Sequence, residues 1–121
     1  MTFSFERLKV YKRSLELVEK IEELCKSLKG KLDFEYIDQL KRTVLSIPLN
    51  IAEANGRWHK NDRKQFYYVS RGSVFECVPL LHIIYRKGLI DERMYNELYS
   101  TLEELSKMIS GLIQSTEKLE R

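Results

Sequence analysis

Apolar residues recur at alternating spacings of three and four along four stretches that together fill nearly the whole chain, and this repeat limits what the chain can become. The period is that of one side of an α-helix, so each stretch has a stripe to bury rather than a sheet face. The first runs from about Phe5 to Leu28, with Leu8, Tyr11, Leu15 and Val18 on one stripe and Val10, Leu17, Ile21, Leu24 and Leu28 on the next; Gly30 ends it. The second, about Phe34 to Trp58, aligns Ile37, Leu40, Val44, Ile47, Ile51, Ala54 and Trp58 on one seam. Asp33 is its expected N-cap and Asn55-Gly56 its exit. The third, about Asp62 to Lys87, follows an Asn61 cap and places Phe66, Ser70, Ser73, Cys77, Leu80, Leu81 and Ile84 on one face, closed by Gly88. The fourth opens at Asp91, with Ile90 and Tyr95 as a hydrophobic staple, and continues through Met94, Leu98, Leu102, Leu105, Ile109, Leu112 and Leu119.

Four helices joined by short connections make antiparallel neighbours, so the expected fold is all-α, an antiparallel up-down-up-down four-helix bundle forming a single domain over residues 1–121. A chain of 121 residues that is 43% hydrophobic, with five glycines and two prolines, buries a real core without disulfides or a structural metal. Pro48 and Pro79 both fall inside helical repeats. The second and third helices are therefore expected to kink, a break at Pro48 being the alternative. Cys25 and Cys77 lack any CxxC spacing and read as buried thiols of a reducing compartment rather than a disulfide or redox pair. The longest uncharged stretch, Thr43 to Ala52, is about half of a membrane span. Met1 to Phe5 is too short for the apolar part of a signal peptide. A cytoplasmic protein without membrane contact is expected.

The third helix has more apolar surface than one bundle hides. Tyr68, Gly72, Phe75, Pro79 and Ile83 line the side opposite its core stripe. A partner subunit is the natural cover, and Gly72 would let a backbone approach closely; the alternative is that neighbouring loops fold over the aromatic side. The second helix adds a polar stripe of Gln39, Arg42, Ser46, Asn50, Glu53 and Arg57. Amides, a hydroxyl and guanidinium groups suit directed hydrogen bonds better than plain solvation. Two readings stand open: a solvated face with a Glu53/Arg57 pair, or a buried or interfacial network in which Glu76 of the third helix partners Arg42.

The runs Gln39-Leu-Lys-Arg42, Ser46-Ile-Pro-Leu-Asn-Ile-Ala-Glu53, Gly56-Arg57 and Gly72-Ser-Val-Phe-Glu76 resemble the signature of the bacterial four-helix-bundle proteins encoded in 23S rRNA intervening sequences. The similarity spans the chain, although that family commonly has glycine where Ala54 stands and leucine at Val74 and Cys77. Its members resemble the accessory protein of diversity-generating retroelements, a homopentameric barrel with a basic surface that binds nucleic acid and a reverse transcriptase. The resemblance implies a bundle, a ring-like homopentamer and an RNA, DNA or nucleoprotein partner.

Independently of that resemblance, Arg57, Lys60, Arg63, Lys64 and Arg71 stand against a single acid, Asp62, with His59 nearby and Trp58, Phe66, Tyr67 and Tyr68 interleaved. Cations attract phosphates and aromatic faces stack unpaired bases, so the segment reads either as a nucleic-acid patch or as a solvated loop. Arg7, Lys9, Lys12 and Arg13 extend it. The formal net charge of +3 conceals a gradient, since residues 91–121 alone carry a net −3. Catalytic patterns are missing. A di-iron bundle needs Glu-x-x-His, but Gly56 and Pro79 stand three residues before His59 and His82, and neither HExxH nor a P-loop occurs. The expectation is a non-enzymatic homo-oligomer without metal or cofactor that offers a basic surface to nucleic acid; the alternative is an oligomeric protein-interaction module without such affinity.

Overall fold

A short 3-10 turn, Ser4–Arg7, leads into α1 (Lys9–Leu28), which is followed by α2 (Phe34–Asn55), α3 (Lys60–Arg86) and α4 (Glu92–Glu117). The structure, a computed structural model, describes residues 2–120; Met1 and Arg121, the ends of the expected domain, lie outside the described residues. Among the described residues the only extended pairing is an isolated bridge between Lys29 and Leu32. Among the described residues no helix is long and apolar enough to cross a membrane.

Contacts between side chains set the direction of each helix. Thr43 of α2 meets Glu76 of α3, Ser46 meets Ser73, and the Ile47 carbonyl accepts from Ser70, so partners descend on one helix as they ascend on the other. Lys64 pairs with Glu117 and Arg71 reaches Ser110, which sets α3 against α4 in the same sense. Arg13 with Glu104 and Lys20 with Glu97 do so for α1 and α4. The order is up-down-up-down, with α2, α3 and α4 packed most extensively and α1 against α4 least. Each turn between helices follows from local chemistry. Gly30 and Gly88 adopt φ of +83° and +73°, values that cost side-chain-bearing residues strain, and so end α1 and α3. Asp91 caps α4 by accepting from the Met94 N–H at 2.8 Å, and Ile90 and Tyr95 each pack against the core, Tyr95 with its ring stacked on Tyr85.

The core runs along the middle of the bundle, through Leu17, Ile21 and Leu28, Val44, Ile47 and Ile51, Tyr67, Val74 and Ile84, and Leu98, Leu105 and Ile109. The buried seam of α2 lies where the repeat placed it. Its last member does not: α2 ends at Asn55, Gly56 turns the chain, and Trp58 is 63% exposed. On α3 the buried stripe is Tyr67, Ser70, Val74, Cys77, Leu81 and Ile84; Phe66, Ser73 and Leu80, expected inside, sit at its margins. Leu15 of α1 is likewise exposed, and Ser14 takes the buried place, its hydroxyl donating to the Tyr11 carbonyl at 2.7 Å. α3 starts two residues earlier than its Asn61 cap predicted, with His59 as N-cap and Asp62 in the first turn, where a carboxylate suits the helix dipole.

Both prolines lie inside continuous helices, Pro48 buried and Pro79 exposed. Lacking an N–H, they leave the carbonyls of Val44 and Phe75 without their usual helical donors. Cys25 and Cys77 are free and buried, and burial pushes the Cys77 thiol up to about 12, so it stays protonated at neutral pH. Tyr67 is the largest fully buried side chain, and burial raises its phenol against a smaller opposing pull from a hydrogen bond with Asn55. Truncating this one side chain therefore tests the core directly. Tyr67→Ala should lower the unfolding free energy, measured by urea titration, by about 3–5 kcal/mol; a loss below about 1 kcal/mol would mean that the α3 stripe is wrongly phased.

Candidate assembly face and basic end

The outward sides of α2 and α3 form one surface, which on its far flank reaches α4, where Phe75 and Pro79 line a groove with Tyr99 and Leu102. On α3 it presents Tyr68, Val69, Gly72, Phe75 and Pro79, with Phe75 at 62% exposure and Tyr68 at 49%. Ile83, placed by sequence at the end of this row, is half-buried. On α2 it presents Leu45 and Leu49, one turn apart, also exposed and outside the apolar seam. Their i, i+4 spacing outside the seam was the available signal. Loops do not cover the aromatic side, because the connection from α2 to α3 spans only residues 56–59 and lies at one end of the bundle.

Between these two apolar rows runs the polar stripe, and the structure divides it. At one end Glu76 accepts hydrogen bonds from Thr43 at 2.8 Å and from Gln39 at 3.4 Å. In the middle Ser73 donates to the Ser46 hydroxyl at 2.8 Å, and the Asn50 amide donates to the Ser46 carbonyl at 2.8 Å and to its hydroxyl at 2.9 Å. Gln39, Ser46, Asn50 and Glu76 thus join α2 to α3 along their outer seam. Thr43, buried and not singled out by sequence, is the link. Arg42 does not pair with Glu76. Its guanidinium bonds Asp38, one turn back, at 2.9 Å, because an i, i−4 carboxylate costs less ordering than a partner across the seam. Glu53 and Arg57 make the expected i, i+4 pair at 2.5 Å on the exposed flank.

The antiparallel order brings the N-terminus of α1, the α2–α3 connection and the C-terminus of α4 to one end of the bundle. Ser4 bonds Asn55, so Arg7 and Lys9 join Arg57, Lys60, Arg63 and Lys64 there, while Lys12 follows one turn along α1. Arg13 is not part of this group, being turned to Glu16 and Glu104. Several of the cations have internal work. Arg63 donates to the carbonyls of Arg57 at 2.9 Å and Asn55 at 3.3 Å and so closes the α2 terminus. Lys60 and Lys64 both approach Glu117. Arg57 lies over the Phe66 ring, 4.8 Å from its centroid, and Arg71 over Tyr68 at 5.3 Å. Of the aromatic residues expected to stack on bases, Tyr67 belongs to the core instead, whereas Trp58 and Tyr68 are exposed. Glu6, Glu53, Asp62 and Glu117 moderate the charge of this end but do not cancel it.

His59 caps the start of α3 and His82 lies near its other end, about 35 Å away along the helix, so the two imidazoles cannot act on one substrate. Among the described residues no group of His, Cys, Asp and Glu side chains could hold a metal ion.

Comparison with known proteins adds an outside view of this architecture. A model of the family of 23S rRNA-intervening sequence proteins matches residues 6–111. The fold is similar to the crystal structure of a protein of unknown function from the S23 ribosomal protein family of Bacteroides thetaiotaomicron, with a TM-score of 0.81 and 25% identity over 86% of this chain and 97% of that one. No curated protein matches the chain.

The tether between the ends of α3 and α4 titrates. The Lys64 hydrogen bond and charge, with a smaller contribution from Lys60, hold the exposed Glu117 carboxyl below its ordinary value. A carboxyl lowered in this way contributes its pairing above the unfolded value and loses it as pH falls through the folded one. In an NMR pH titration, Glu117 of Lys64→Ala should return towards the ordinary carboxylate range; an unchanged midpoint would show that Lys64 does not neutralise it.

Proposed function

This chain belongs to the family of 23S rRNA-intervening sequence proteins, and from that premise we propose that it is a non-enzymatic cytoplasmic bundle protein that self-assembles and presents its basic end to RNA or DNA as a scaffold. The observation that carries the reading is Gly72. It sits in the middle of a 27-residue helix, where glycine costs about 1 kcal/mol relative to alanine, yet a Cβ added there meets nothing within 4 Å. The monomer gains nothing from this glycine. Gly111 inside α4 is equally unobstructed, so what sets Gly72 apart is its place among the exposed Tyr68, Val69 and Phe75, an apolar surface that a partner backbone can approach.

Assembly gives the basic end its effect. One copy offers a few cations partly engaged by Glu53 and Glu117, too few for tight binding at physiological salt. A homopentameric ring, implied by the sequence resemblance, sets five such ends on one face, and phosphates bound at one raise the effective concentration at the next. A nucleoprotein carrying the same phosphates would be held by the same face. A second reading, assembly without nucleic-acid affinity, is favoured by the internal engagement of Arg63, Lys64 and Arg71.

Two experiments test these statements separately. Gly72→Leu should keep its helical circular dichroism and at least its monomer stability while its mass by light scattering falls to that of one chain; assembly equal to the unmodified protein would reject the role given to this face. Filter binding of single-stranded RNA and DNA across a salt series should show affinity that declines steeply with salt and drops at least tenfold in the double variant Arg57→Gln/Lys60→Gln. Absence of binding at low salt would leave the second reading.

A further inference from the structure

Charge explains why a polynucleotide would approach the basic end but not which form of it would stay, since duplex and single strand both carry phosphates. The aromatic rings at that end supply the distinction. Phe3 and Trp58 are each 63% exposed. They share the end because Ser4, next to Phe3, bonds the side chain of Asn55, three residues before Trp58. Both positions are pinned. The Phe3 N–H donates to the Glu6 carboxylate at 3.0 Å, and the Phe3 carbonyl accepts from the Glu6 N–H at 3.1 Å. Trp58 lies between two residues whose carbonyls accept from Arg63, that of Arg57 from the guanidinium at 2.9 Å and that of His59 from the backbone N–H at 3.0 Å. We propose that the basic end takes single-stranded nucleic acid in preference to duplex, with unpaired bases laid on Phe3 and Trp58 and the neighbouring phosphates held by Arg7, Lys9, Arg57 and Lys60. This rests on the nucleic-acid reading above and adds the form of the ligand.

The rings are prepared for stacking before any ligand arrives. Phe5 lies nearly parallel to Phe3, at 23° with 5.9 Å between centroids, and itself meets Tyr11 edge-on at 4.9 Å. Phe3 therefore ends a pile of three rings rooted on α1, backed on one side and open on the other, so little ordering remains to be lost when a base settles on it. Exposure alone does not make such a platform. Phe34 is more exposed, at 73%, but it starts α2 at the opposite end of the bundle, beside a groove whose three lysines are offset by three glutamates, which leaves no surplus charge to hold a phosphate. At the basic end the cations outnumber the carboxylates only modestly, so phosphate contacts alone bind weakly. Each stacked base multiplies affinity by roughly fivefold to a hundredfold, and that gain is open only to a strand whose base faces are free. In a duplex those faces are covered by the neighbouring pairs.

Trp58 is the sole tryptophan of the chain, so its fluorescence reads the contact without a label. With the full chain at low salt, oligo(dT) and oligo(U) of about 12 nucleotides should both quench it, since a ring reads the base and not the sugar, and both should bind at least about tenfold tighter than a DNA duplex of the same length. By anisotropy of labelled oligonucleotides, Phe3→Ala and Trp58→Ala should each weaken single-strand binding by roughly fivefold or more while duplex binding and helical circular dichroism stay as they were. Phe34→Ala should change neither. Duplex bound as tightly as single strand, tryptophan emission that stays constant as oligo(dT) binds, or both alanine variants holding oligo(dT) like the unmodified protein overturns the stacking contact, while the phosphate reading of the basic end stands. Binding of neither form at low salt overturns both.

Discussion

Helix α3 has to satisfy two sides at once. One side, through Tyr67, Val74, Cys77 and Ile84, closes the core against α2 and α4, and the described residues form no fifth helix to lay over the other. The second side keeps Tyr68, Gly72, Phe75 and Pro79 in water. At roughly 25 cal/mol per Å² of apolar area, leaving such side chains exposed forgoes a stabilisation that a partner surface can recover. The rest of the structure is arranged around this helix. α2 is stitched to it by a polar seam and α4 by ion pairs at the far end, while α1 closes the bundle with the lightest packing.

The polar seam gives α2 and α3 a fixed register. Hydrophobic contact alone tolerates sliding of one helix along another, but the Glu76 carboxylate has to meet the Thr43 hydroxyl and Ser73 has to meet Ser46, and a shift of one turn breaks both. That register places Leu45 and Leu49 beside Val69 and Gly72 on one surface. The functional reading thus depends on hydrogen bonds that contribute modestly to stability and strongly to geometry.

Much of this was legible in the chain. The α2 seam through Leu40, Val44, Ile47, Ile51 and Ala54 was readable because only one phase of its repeat is apolar. On α3 two phases share Ser70, Cys77 and Ile84, and apolar residues on both sides admit either, so the repeat alone does not distinguish Phe66 from Tyr67, the one that is buried. Trp58 continued the α2 period on paper; the turn at Gly56 takes it out of the helix. The basic cluster was visible as a run of cations, but its neutralisation was not, because Glu117 arrives from the end of α4, 53 residues beyond Lys64. Leu45 and Leu49 carry no pattern of their own, because two leucines outside a seam gain meaning only from their neighbours across the helix pair.

An isolated copy, on this account, is an incomplete object, and the size of the unmodified chain in solution is the most direct measure of that. Sedimentation equilibrium over a wide range of loading concentrations should fit one discrete species of two or more chains, its mass a whole-number multiple of 14.4 kDa greater than one. A mass of 14.4 kDa that persists at the highest concentration would contradict the account, since Phe75 and Tyr68 would then be content in water.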